Sequence, residues 1–179
     1  MTRKIGRRGT KEVTSRLQFG DAHMEGDVLT RSYGHLALFV ILVLGIGSLI
    51  GYATAPGAWF ESLTKPPFQP PNWLFGPVWS FLYVLIAISG WRIWPLEPNN
   101  GLRAIWLAQM ALNFLWSPAF FALENPGLAL SVIVPMWATI LLFILRAWPR
   151  DRIAAVLFLP YFAWVSFATI LNFAIWRLN

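Results

Sequence analysis

Cysteine is absent from the 179 residues, histidine occurs only at His23 and His35, and Asp, Glu, Lys and Arg together make up 12% of the chain. The missing thiols exclude a disulfide, a thiolate nucleophile and any Cys-ligated zinc or iron–sulfur centre, and two histidines leave almost no imidazole chemistry, so no metal site is expected. The shortage of charge is as telling, because a soluble domain carries about a quarter charged residues. What fills the space is apolar: the chain is 57% hydrophobic and 16% aromatic, with eleven tryptophans and a mean hydropathy of +0.56. The net charge of +6 does not argue for nucleic acid. Its basic residues lie in the N-terminal segment and in short breaks between apolar runs, where membrane topology accounts for them.

A hydrocarbon core about 30 Å thick requires about 20 apolar residues in a helix. Five runs approach that length, at about Leu36–Ala53, Pro77–Trp94, Ala104–Leu123, Leu128–Leu145 and Ile153–Trp176, with Arg92 near the end of the second as their one charged residue. Pro56-Gly57, Pro95 to Gly101, Asn125-Pro126-Gly127 and Pro149 to Arg152 supply turn chemistry between them. Backbone groups in lipid must be satisfied within the segment or by a closed barrel, and this composition does not suit barrel strands. The expected fold is therefore all-α: an integral, multi-pass membrane bundle of five transmembrane helices. With the N-terminus in the cytoplasm, twelve Lys and Arg fall on that side and two, Lys65 and Arg177, on the other. The positive-inside rule then places the N-terminus inside and the C-terminus on the opposite face. Residues 1–34 form a basic segment without an apolar stripe, expected to be disordered, or an upstream artefact as far as residue 23 if Met24 is the natural start. Residues 35–179 make the membrane domain.

The first loop is dense in prolines and aromatics. Pro66, Pro67, Pro70 and Pro71 fix φ and deny the segment a helix. The loop formed by Lys65, these prolines and Trp73 reads either as a stiff lid or as a rigid connector at headgroup level. Pro77 suits the first turn of the second helix. Within the spans, polar and aromatic groups align by helical spacing: Trp79 and Tyr83 on the second helix, Gln109, Asn113 and Trp116 on the third, Tyr161, Trp164, Ala168 and Asn172 on the fifth. Amides in hydrocarbon need partners, so Gln109, Asn113 and Asn172 should face other helices or a cavity. Either they tie helices together, or, with their aromatic company, they line a pocket for a flat apolar ligand. Pro118, Pro135 and Pro160 should kink their helices. The Gly47-x-x-x-Gly51 spacing suits close packing within the bundle or a homodimer.

These residues resemble the TspO/MBR family of tryptophan-rich sensory proteins and translocator proteins. The likeness is carried by Trp59-Phe60, Leu63-x-Lys65-Pro66, Pro70-Pro71-x-Trp73, Gly76-Pro77-Val78-Trp79, Gln109-x-x-x-Asn113-x-x-Trp116-x-Pro118-x-Phe120-Phe121, and Pro160-Tyr161-x-Ala163-Trp164-x-x-Phe167-Ala168-Thr169-x-Leu171-Asn172. It runs from Trp59 to Arg177, about two thirds of the chain. The resemblance implies five spans, a long first loop, and a pocket beneath that loop taking porphyrins such as protoporphyrin IX or haem, as a bound ligand rather than a required cofactor. It places Trp79, Tyr83, Asn113, Trp116, Trp164 and Ala168 at that pocket. With Phe60 from the loop and Gln109 and Tyr161 from the stripes, these form the expected ligand-binding set. One departure from the family is clear: its C-terminal sterol motif requires a tyrosine where this chain has Phe173.

Two functions follow as expectations. One is a membrane receptor or carrier that senses, sequesters or moves a tetrapyrrole, with membrane lipid as its surroundings. The other is a light- and oxygen-dependent porphyrin-degrading enzyme using Trp79 and Trp164 as redox-active rings. The spans hold no general acid, base, nucleophile or metal ligand, so ordinary hydrolytic chemistry has no parts.

Overall fold

Helices carry almost all of the chain described by the computed structural model, which covers residues 33–96 and 101–179. The expectations for the basic N-terminal segment and for Met24 lie outside the described residues. In chain order the elements are α1 (Tyr33–Ala53), α2 (Ala58–Ser62), α3 (Asn72–Ile93), α4 (Leu102–Ser117), a π-helical turn (Pro118–Ala122), α5 (Pro126–Ala147), α6 (Arg152–Leu157) and α7 (Leu159–Leu178). Five spans are long and apolar enough to cross a membrane: α1, α3, α4 with its π turn, α5, and α6 with α7. Among the described residues there is no strand.

The helix ends are set by local chemistry. Asn125 caps α5, its side-chain oxygen accepting from Leu128 N at 2.9 Å, with Pro126 at the first helical position. Asp151 caps α6 through Ala154 N at 2.9 Å. It also accepts from Arg92 Nε at 3.0 and 3.2 Å, joining the end of α3 to the start of α6. The expected start of the second helix is corrected: α3 begins at Asn72, directly after the extended Pro71, so Pro77 lies inside the helix and not in its first turn. A proline inside the helix costs it one backbone bond, and the apolar run from Trp73 continues regardless.

The three other span prolines act differently from one another. At Pro118 the helix widens, with Leu123 N bonding Pro118 O at 2.9 Å over five residues. Pro135 is accommodated inside α5, where Thr139 Oγ1 donates to its carbonyl at 2.8 Å. Pro160 sits at the break between α6 and α7, around Phe158.

α5 packs on both α4 and α7, while α3 packs on α4 and α6. The main core runs through Ile86, Ile133, Ile140, Phe143, Phe158 and Tyr161, all essentially inaccessible. Close approach of α4 to α3 depends on Gly90, where a Cβ would fall 2.6 Å from the Trp106 ring. The Trp106 indole donates to Ile86 O at 3.1 Å. A second apolar cluster at the loop end joins Phe60 of α2 to Phe120, Leu171 and Ile175. This cluster seats the first loop on the bundle.

Candidate functional site: an aromatic cavity under the first loop

At the loop end of the bundle, α1, α2, α3, α4 and the π turn surround a cavity of about 370 Å³. α1 contributes Gly47, Ser48, Ile50 and Gly51, and Thr54 follows at its end; the loop contributes Pro56 and, from α2, Phe60; α3 contributes Asn72, Phe75, Gly76, Trp79, Ser80 and Tyr83; α4 and the π turn contribute Asn113, Trp116, Ser117 and Phe121. The volume falls within the range of small-molecule sites, as does the mixture of aromatic walls and few polar groups.

Asn113 is the polar centre of the wall. Its Oδ1 accepts from the Tyr83 hydroxyl at 3.1 Å and its Nδ2 donates to the Tyr161 hydroxyl at 2.8 Å, so one buried amide joins α3, α4 and α7. Trp79 lies against both phenols, 5.4 Å from the Tyr83 ring and 6.2 Å from that of Tyr161. Trp116 spends its indole N–H on Asn172 Oδ1 at 3.0 Å, and Asn172 Nδ2 donates to Pro126 O at 2.8 Å.

Four of the five lining hydroxyls, all but Ser48, have committed their protons. Thr54 Oγ1 donates to Ile50 O at 2.8 Å and lies 2.6 Å from Ser117 Oγ. Because the threonine proton is already used, the serine must donate in that pair. Ser80 donates to Gly76 O at 2.9 Å, and Tyr83 to Asn113. These four hydroxyls are left with lone pairs to offer.

The cover is fastened at several points. Phe60 is buried and meets Phe121 edge-on at 5.4 Å. Lys65 stands 4.8 Å above the Phe60 ring and 3.7 Å from Glu61 Oε2, while Asn72 Nδ2 donates to Glu61 Oε1 at 2.9 Å. Farther along, the Asn179 side chain pairs with both backbone groups of Thr64, at 2.9 and 3.1 Å. Pro66 is buried and Pro70 half-buried, whereas Pro71 and Trp73 face outward.

The sequence-expected residues therefore divide. Phe60, Trp79, Tyr83, Asn113 and Trp116 line the cavity; Tyr161 joins it through Asn113. Trp164 and Ala168 are not in the wall. Trp164 touches the lining residue Phe75 edge-on at 5.7 Å, and its indole N–H has no partner among the described residues. Ala168 is buried in the main core. Gln109 is fully buried one helical turn from Asn113, and neither of its amide atoms has a partner among the described residues. Missing from the sequence reading was the α1 wall. Its signal was present, since Gly47, Gly51 and Thr54 recur at steps of four and three, but a small-residue stripe reads first as a packing face.

A multi-pass helical membrane protein with an aromatic cavity between its helices, closed at one end by a proline-rich loop, is the class this geometry defines. Comparison with known sequences narrows it: the profile of the TspO/MBR family matches residues 38–177, and the chain belongs to that family. It is 39% identical over 150 residues to protein CrtK of Rhodobacter capsulatus, covering 80% of this chain and 94% of the relative. To the tryptophan-rich sensory protein of Cereibacter sphaeroides it is 36% identical over 145 residues, covering 80% and 92%. The human translocator protein is 30% identical over 151 residues, covering 80% and 89%.

Proposed function

We propose that the protein is a membrane receptor or carrier that binds a porphyrin, or a similarly flat apolar ligand, in the cavity under the first loop. The observation that carries this reading is the wall itself: Trp79 and Trp116 line it together with a buried amide, Asn113, whose two phenol partners hold it in place. Such a surface offers large apolar faces with few, fixed polar points, as a flat ligand requires. Family membership supports a receptor or sensor role in a membrane. The charge distribution supports a cytoplasmic N-terminus, which opens the cavity toward the opposite face.

The test is a titration of purified protein with protoporphyrin IX, and separately with haemin, followed by quenching of tryptophan emission. Saturable quenching is expected, and Trp79→Phe should weaken binding several-fold more than Trp164→Phe, which alters a ring outside the wall. Trp148, at the far end of α5, serves as control. Equal effects at Trp79 and Trp148 would mean partitioning into the micelle and would overturn the proposal.

A further inference from the structure

A second recess, independent of the cavity and sharing no lining residue with it, opens at the loop end of the bundle. It encloses about 520 Å³ between Trp59 of α2, the Glu124–Gly127 turn that leads into α5, and Trp176, Arg177 and Asn179 at the end of α7. Four charged residues lie at this end: Glu61, Lys65, Glu124 and Arg177. The first two are paired with each other. Glu124 and Arg177 line the same recess, yet neither side chain has an ion-pair or hydrogen-bond partner among the described residues. Opposite charges within contact distance would close on one another; these two face a common space instead, with indoles at its sides. Gly127 keeps the Trp176 ring close to the first turn of α5, for a Cβ there would lie 3.0 Å from the indole nitrogen.

We propose that this recess holds the zwitterionic headgroup of a membrane phospholipid. The phosphate meets the Arg177 guanidinium, whose planar fork suits it. The ammonium meets the Glu124 carboxylate and the flanking indoles, through an ion pair and a cation–π contact. Position supports lipid as the occupant: Trp176 and Arg177 end the last span, where tryptophan and arginine mark the headgroup level. A lipid with a purely anionic headgroup would use Arg177 and leave Glu124 repelled.

Delipidated full-length protein would be supplied with equimolar phosphatidylethanolamine and phosphatidylglycerol of identical acyl chains, and retained lipid counted by native mass spectrometry. The wild type should prefer the ethanolamine lipid by about 2- to 5-fold, the size expected of one partly exposed charge contact. Glu124→Gln should bring the ratio close to one, and Arg177→Gln should lower retention of both lipids. Arg152→Gln, at the opposite end of the bundle, should change neither, and circular dichroism would establish that all variants are folded. No preference in the wild type, or a preference unchanged in Glu124→Gln, would overturn the assignment. Displacement of the lipid by an equal concentration of soluble glycerophosphoethanolamine would overturn lipid as the occupant.

Discussion

Gly47 and Gly51 occupy successive turns of α1 and both line the cavity, yet the same substitution should act oppositely at the two positions. A Cβ on Gly47 would lie 2.3, 2.5 and 2.9 Å from Cε2, Cζ and Cδ2 of Tyr83, whereas one on Gly51 would meet nothing within 4 Å. Tyr83 cannot swing aside cheaply: it is buried, lies against Trp79 at 5.4 Å and donates to Asn113. Relief requires the ring to retreat by about 1 Å or α1 to withdraw, and overpacking of this kind costs about 1–3 kcal/mol. Both glycine-to-alanine changes share the same gain in helix propensity, about 1 kcal/mol. The difference between the variants therefore isolates the clash: Gly47→Ala should be about 1–3 kcal/mol less stable than Gly51→Ala. Reversible unfolding of both variants in one detergent, read by far-ultraviolet circular dichroism, measures this difference. Gly47→Ala should also bind porphyrin more weakly, because Tyr83 is displaced within the wall. Adding Tyr83→Leu, which removes the opposing ring, should recover stability in the Gly47→Ala background. Coincident unfolding transitions and equal affinities for the two glycine variants would refute the packing argument.

Other sites give separate expectations. Asn113→Leu strands the hydroxyls of Tyr83 and Tyr161 and should lower stability by about 1–2 kcal/mol, while Asn113→Asp should retain more of it; the unfolding transitions decide. Asp151→Ala removes the cap of α6 and the partner of Arg92, at a cost of about 1–3 kcal/mol; an Arg92→Ala, Asp151→Ala cycle would show coupling between them. Asn179→Ala releases both backbone groups of Thr64, so amide exchange at Thr64 should accelerate several-fold in hydrogen-exchange mass spectrometry while that of α5 is unchanged.

Hydropathy made the five spans legible, because lipid leaves a spanning segment almost no choice but helix. Boundaries were less accessible. Pro77 looked like a start signal, but proline at the first helical position and proline tolerated inside a span give the same local pattern, and only the helical backbone from Asn72 onward separates them. Asn113, Trp79, Tyr83 and Trp116 stood out as a polar and aromatic group against an apolar background, with helix tying and a pocket both open, and the resemblance singled them out as pocket residues; in the structure they line one cavity. The α1 wall was not, since glycine contributes by what it lacks. Trp164 illustrates the converse: spacing shows that it shares a face with Tyr161 and Ala168, but not that Phe75 is the ring in the cavity wall. Asn172 was expected to find an internal partner and has two, yet these tie α4 and α5 to α7 outside the cavity.

Hydrogen-bond direction adds a selectivity that residue identity alone does not carry. Thr54, Ser80, Ser117 and Tyr83 could each have been donor or acceptor to a ligand, but all four protons are committed within the protein. These four hydroxyls therefore present lone pairs, with Ser48, exposed on α1, the one lining hydroxyl still able to donate. A carboxylate brought against the four would lose its hydration and meet acceptors in return, a cost of several kcal/mol. Ligand N–H or O–H groups meet no such penalty. A dicarboxylic porphyrin should thus enter with its apolar macrocycle edge toward Tyr83 and leave its carboxylates at the loop end, near water and Lys65. Esterification would then cost little, and protoporphyrin IX dimethyl ester should bind within about 3-fold of the free acid, the worth of at most one exposed charge contact to Lys65. Competition between the two, read by tryptophan quenching, tests the orientation. A loss of 100-fold or more on esterification would mean that the carboxylates are held by buried donors, and would sink this account of the wall.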